Sequence, residues 1–196
     1  MTLTARARLA CAAAILLAGC STPPPRPEFP DLRFTAEPPL QIDVASLEVQ
    51  PVFQMTFREP HVEHLFPVTP ERALENWGHD RLKPVGTAGR VVMKILNASV
   101  VETELPVQQG LTGAFTTQPS ERYDLALEAT VQAYDGNGLV ARTANVKTTR
   151  SQSVLQGITP NDRDRTWYDM TKAAMADFDR QMESEIRNNL GGYLVK

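Results

Sequence analysis

Positive charge is not in surplus in this chain: 20 Lys and Arg stand against 23 Asp and Glu, a formal net charge of −3 over 196 residues. Binding a nucleic-acid backbone calls for a dense basic surface, so that class of partner is excluded. Cysteine is nearly missing, with Cys11 and Cys20 alone, which is too few for a disulfide framework. The longest apolar run, residues 9–18, is about half the ~20 residues a helix needs to cross hydrocarbon. Neither a Gly-x-Ser-x-Gly nucleophile elbow nor a phosphate loop ending in Gly-Lys-Ser or Gly-Lys-Thr occurs. Hydrophobic residues at 42% and charged residues at 22% are near globular averages, so a folded core is expected and wholesale disorder is not.

The amino terminus carries the first positive signal. Arg6 and Arg8 precede the apolar run, and the run stops at Gly19-Cys20, the charged-then-apolar order of an export signal. Leu17-Ala18-Gly19-Cys20 closely resembles the lipobox of bacterial lipoproteins. The resemblance implies that Leu17, Ala18 and Gly19 are read by the signal peptidase, that the chain is cut before Cys20, and that the Cys20 sulfur carries a diacylglyceryl group. A third acyl chain on the new amino group is usual in the family, and two or three chains give stable attachment where one is marginal. Ser21 stands where the family's inner-membrane retention signal would usually be Asp, which favours the outer membrane. On this resemblance the mature chain keeps no free thiol, and loss of Arg6 and Arg8 leaves 18 basic against 23 acidic residues, a net −5. That sign disfavours close adsorption to anionic head groups.

Three segments are expected: a signal peptide at 1–19, a lipidated cysteine with a proline-rich tether at 20–40, and one domain at 41–196. Seven of the fifteen prolines fall between residues 21 and 40. Proline fixes φ and removes a donor, so this stretch favours an extended, semi-rigid spacer.

Within the domain, Ile42, Val44, Leu47 and Val49 alternate with a phase slip at Ala45-Ser46, which predicts one strand with a bulge. Thr69-Pro70-Glu71 has the chemistry of a helix start, with a capping hydroxyl, a proline where no N–H is needed and an acid at the positive end of the dipole. Ala73, Leu74, Trp77 and Arg81 then follow at helical spacing, and Pro84 closes the element. Residues 90–104 are rich in Val and Ile and predict one long strand or two joined by a bend near Asn97. Tyr123, Leu125, Leu127, Ala129, Val131 and Ala133 share one face of a strand. Asp135-Gly136-Asn137-Gly138 then supplies a hairpin turn, and the return strand should face Val140, Ala144 and Val146 inward. Thr159-Pro160 repeats the helix start. Trp167, Met170, Ala174, Phe178, Met182, Ile186 and Leu190 make a long amphipathic stripe that ends at Gly191-Gly192. The sum is an α+β two-layer sandwich, an antiparallel sheet packed against two helices with the C-terminal one long. In general layout this resembles small periplasmic lipoproteins such as the auxiliary lipoproteins of lipid or transport complexes, a likeness of fold alone.

Chemistry-bearing residues are few. His61, His64 and His79 fall within nineteen residues, with Glu63 among them and Glu59 and Asp80 beside them, but the spacing lacks the His-Glu-x-x-His order of zinc peptidases and Pro60 and Pro67 bracket the first pair. A structural role is the plainer reading, and neither a metal nor another cofactor is called for. The run Asn161-Asp162-Arg163-Asp164-Arg165 is explained by dipole and ion-pair stability at a helix start. Leu111 and Phe115, in a Gly/Thr-rich stretch from 105 to 120, are apolar without periodicity, and so form a candidate interaction loop or a flap folded over the sheet. The expectation is a lipid-anchored, non-enzymatic envelope module with an envelope protein or lipid as partner. Its rival is an anchored hydrolase of cell-wall or lipid substrates.

Overall fold

The computed structural model describes residues 28–106 and 118–195. In them, six strands and two α-helices run in the order β1 (Leu40–Ile42), β2 (Ser46–Pro51), α1 (Pro70–Arg81), β3 (Leu82–Pro84), β4 (Arg90–Glu104), β5 (Pro119–Tyr134), β6 (Val140–Leu155) and α2 (Pro160–Asn189). β2, β4, β5 and β6 form one sheet in that order, and β1 pairs with β3 in a second. Both helices pack on the sheet, α1 on β4 and β2 and α2 on β6 and β5. The α+β sandwich predicted from the sequence is therefore the architecture.

The sheet differs from the expected all-antiparallel one at its edge. β4, β5 and β6 are antiparallel, but β2 runs parallel to β4, with Ser46 opposite Arg90 and Pro51 opposite Ile95. A parallel neighbour requires a crossover, and the connection carrying α1 supplies it. The predicted single strand over 41–50 is likewise two strands in two sheets. Its phase slip is a change of sheet: the Ala45 N–H donates to the Ala88 and Gly89 carbonyls, and Val44 is buried at the corner. The chain's end closes the small sheet, with Leu194 bridged to Ile42.

Local chemistry accounts for the long elements. Thr69 Oγ1 accepts from the Arg72 N–H at 3.3 Å and Thr159 Oγ1 from the Asp162 N–H at 3.2 Å, so each Thr-Pro pair starts its helix. The bend near Asn97 is a bulge at Leu96 that shifts the register between Ile95 and Asn97. The bulge keeps Val91, Met93 and Ile95, then Ala98 and Val100, on the buried face. A second irregularity, between Ala133 and Tyr134, leaves Val140 about half exposed at 48%, although Ala144 and Val146 face inward as predicted.

The core lies between sheet and helices. Trp77 of α1 meets Phe178 of α2 edge to face at 5.3 Å, and the stripe from Trp167 to Leu190 is buried. Gly78 lets α1 sit close to the sheet: a Cβ there would come within 2.9 Å of a Val49 methyl carbon and of the Met93 sulfur. Val49 is stiff at χ1, so a larger residue has little room to be accommodated.

The folded unit begins earlier than residue 41. Leu32 is buried, and Phe34 packs on the core. Arg33 Nε donates to Asp80 at 2.8 Å, the Phe34 N–H donates to the same carboxylate at 2.9 Å, and Asn76 donates to the Leu32 carbonyl at 3.2 Å. Residues 28–39 are thus a strap across the helices, where the proline content had suggested free tether. The prolines space the strap, and Leu32, buried, with Phe34, half-buried, fixes it to the core while most of its other residues stay exposed.

Candidate functional site

The inner face of the sheet changes character at one end. Continuing the buried alternation of β4 past Ala98 and Val100 reaches Glu102 and Glu104, and running β5 back past Leu125 and Tyr123 reaches Glu121. Pairing sets Glu102 opposite Tyr123 and Glu104 opposite Glu121, so like charges face each other across the strands. The residues following β2 close a third side. The Glu102 N–H donates to the Pro60 carbonyl at 2.8 Å, and Glu59, Pro60, Glu102 and Glu104 line a cleft of about 210 Å³.

Few cations offset this charge. Arg163, one turn into α2, donates to Glu121 at 2.9 Å, and the Tyr123 hydroxyl donates to Glu121 at 2.6 Å and lies 3.4 Å from Glu102. Burial, followed by the nearby Glu121 charge, raises the Glu102 carboxyl above the usual range. Burial and the hydrogen bond to Glu121 raise the Tyr123 phenol, which stays a proton donor at neutral pH. Glu102 thus sits near a second carboxylate, with a neutral phenol and a guanidinium close by, in an arrangement able to hold or pass a proton.

Beside the cleft, Glu63 is buried and accepts from the Val100 N–H at 3.1 Å. It lies 3.8 Å from His61 Nδ1, too long for a hydrogen bond. Its other oxygen has no protein partner. The His64 ring lies tilted beside that of Phe57, with centroids 5.3 Å apart, while His79 is exposed at the end of α1, its carbonyl accepting from Lys83. The three histidines have separate surroundings, and among the described residues no group of three or more His, Asp or Glu is placed to hold a metal ion.

A second polar cluster ties the helices together. Arg81, 1% exposed, donates to Asp179 at 2.9 Å, to Glu183 at 2.5 Å and to the Pro38 carbonyl. Trp77 Nε1 donates to Asp179 at 2.7 Å. Every bond here joins chain segments, and its chemistry is that of a lock.

Of the residues singled out in the sequence, Leu17, Ala18, Gly19, Cys20, Leu111 and Phe115 lie outside the described residues. Pro106 and Gln118, which flank the candidate loop, lie at the carboxylate-lined end of the sheet, since Leu105 donates to Ser120 there at 2.8 Å. Sequence reading missed Glu102 and Glu121. The signal was present, because the face that gave Tyr123 and Val100 needed only to be extended one step each way. No known protein family matches the chain, and no curated protein matches it.

Proposed function

We propose that the protein is a lipid-anchored lipoprotein of the cell envelope, facing the periplasm from the outer membrane, that serves an envelope assembly or transport complex as a binding or accessory module. The observation that carries this reading is the pattern Arg6, Arg8, an apolar run and Leu17-Ala18-Gly19-Cys20. Among the described residues no helix is long and apolar enough to cross a membrane, so on this reading attachment falls to the lipid. The test is fractionation of cells expressing the chain or its Cys20→Ala variant. The parent should sediment with membranes and the variant should appear in soluble fractions; a variant still held by membranes refutes the anchor.

A second reading, an anchored hydrolase of cell-wall or lipid substrates, is favoured by one observation. Glu102 is a carboxyl raised above its ordinary range by burial and by Glu121, at a cleft, and an upward shift is the direction that suits a general acid. Turnover of such a substrate that disappears in Glu102→Gln would favour this reading over the first.

A further inference from the structure

The strap fixes where the chain leaves the folded domain. Phe29 rests on Tyr168 of α2, with ring centroids 5.2 Å apart, and the neighbouring Trp167 stacks on Phe66 at 4.9 Å. Glu28 therefore emerges beside the 57–66 connection, at the end of the sheet that bears the carboxylate cleft. That connection carries two large apolar side chains in solvent, Phe57 at 67% and Leu65 at 54% exposure. Phe57 also holds φ at 53°, a conformation bulky residues rarely adopt. A strained backbone that keeps an aromatic ring outside the core points to a use for that ring in the exposed position.

We propose that Phe57 and Leu65 form a pad that rests in the interface of a zwitterionic bilayer, so that the domain stands end-on upon the membrane. The proposal rests on the lipid-anchored reading, because the anchor supplies the proximity. Seven residues lie between Cys20 and Glu28, and the eight steps from one to the other reach at most about 29 Å when fully extended. The 30-residue α2 alone is about 45 Å long, so the tether holds the pad's end of the domain near the lipid. Aromatic and aliphatic side chains on such a loop partition into the head-group boundary. Glu59, Glu102 and Glu104 beside the pad disfavour an anionic surface, which selects a zwitterionic one.

The test uses the full, lipidated chain, in which acylated Cys20 leaves no free thiol to compete for a label. Leu65→Cys carries an environment-sensitive fluorophore, and the protein is reconstituted into phosphatidylethanolamine–phosphatidylcholine vesicles with or without a lipid-attached spin quencher. Leu139→Cys, exposed in the hairpin at the other end of the sheet, is the control. Label at 65 should shift to the blue and be quenched at least twofold while label at 139 stays as in water. Adding Phe57→Gly, which also relieves the positive φ, should restore most of the emission at 65. A water-like label at 65 on protein whose intact mass includes the lipid overturns the docking and leaves the anchor standing. Equal quenching at 139 overturns the end-on orientation, and quenching at 65 unchanged by Phe57→Gly overturns the pad. Protein whose mass lacks lipid refutes the anchored reading and the docking with it.

Discussion

Replacing Arg81 with Met keeps most of the aliphatic volume and removes the guanidinium, which tests whether the helix lock stabilises the fold. Breaking a fully buried ion pair by deleting one partner costs about 3–5 kcal/mol, chiefly because the other charge is left uncompensated. Here that penalty is reduced. Asp179 keeps its bond from Trp77 Nε1, Glu183 keeps two from Arg187 at 2.9 and 2.7 Å, and the two carboxylates are 17% and 31% exposed. The Pro38 carbonyl loses its guanidinium partner. The low end of the range is therefore expected, a loss of about 3 kcal/mol, which in a chain of this size lowers Tm by roughly 6–12 °C.

Urea unfolding with a fitted m-value measures the loss, and a cycle with Asp179→Asn isolates the pair. A coupling of about 1–2 kcal/mol is expected, within the usual range for residues in one network. A loss below about 1 kcal/mol at unchanged m would refute the reasoning, since it would mean that desolvation of Arg81 cancels its bonds even with the partners left behind. Limited proteolysis supplies an independent readout. Because Arg81 also holds Pro38, the strap at 28–39 should be cut faster in Arg81→Met than in a core variant of equal stability.

Two other substitutions probe titrating groups with opposite signs. The hydrogen bond from Arg33, with help from the Phe34 N–H and the Arg33 and Lys83 charges, holds the Asp80 carboxyl below its ordinary value against the opposing effect of burial. Its stabilisation is present above the unfolded carboxylate range and is lost as pH falls through the folded value. Asp80→Asn should therefore destabilise at pH 7, and the difference from the parent should shrink in acid urea titrations; a difference independent of pH would contradict this. Glu102 runs the other way. Burial and Glu121 raise it, with Glu59 adding to the effect and Arg163 and Tyr123 opposing it, so its ionised form costs stability that returns as pH falls from the folded value toward the unfolded one. Glu102→Gln should raise Tm at pH 7 and lose that advantage near pH 4, and a variant less stable than the parent at neutral pH would show that the carboxylate is better compensated than its neighbours imply.

The long elements were legible because their signals are local. Period-two burial from Tyr123 to Ala133, the three- and four-residue steps from Trp167 to Leu190 and the two Thr-Pro starts each reside in a contiguous stretch, and each appears where expected. What the sequence hid depends on distant partners. Whether the slip at Ala45-Ser46 is a bulge or a change of sheet is decided by hydrogen bonds to residues 88 and 89. Val140 turns outward because β6 carries an extra residue, Ala141, between the partners of Ala133 and Tyr134, a shift that only the pairing with β5 reveals. Arg81 has the spacing of a core residue and no local hint of its partners 98 and 102 positions away. The proline content of the strap speaks for extension, and extension is compatible with docking: a chain without internal bonds still buries Leu32 and accepts donors from α1.

That correction alters the geometry of anchoring. With residues 28–39 free, the chain between Cys20 and Leu40 could reach about 70 Å, and the domain could stand well clear of the bilayer. With the strap docked, the limit falls to about 29 Å, set by where Phe29 meets Tyr168 and where Arg33 meets Asp80. On the lipid-anchored reading the height of the domain is therefore controlled by the ion pairs of the strap more than by the prolines before it. These pairs differ in strength: Arg33 is 54% exposed, so its bond to Asp80 is open to competition from water and salt, whereas Arg81 is buried and screened little. Moderate salt should thus weaken the strap first at Asp80 while Pro38 remains held by Arg81, lengthening the tether in steps and leaving the helix lock to release last.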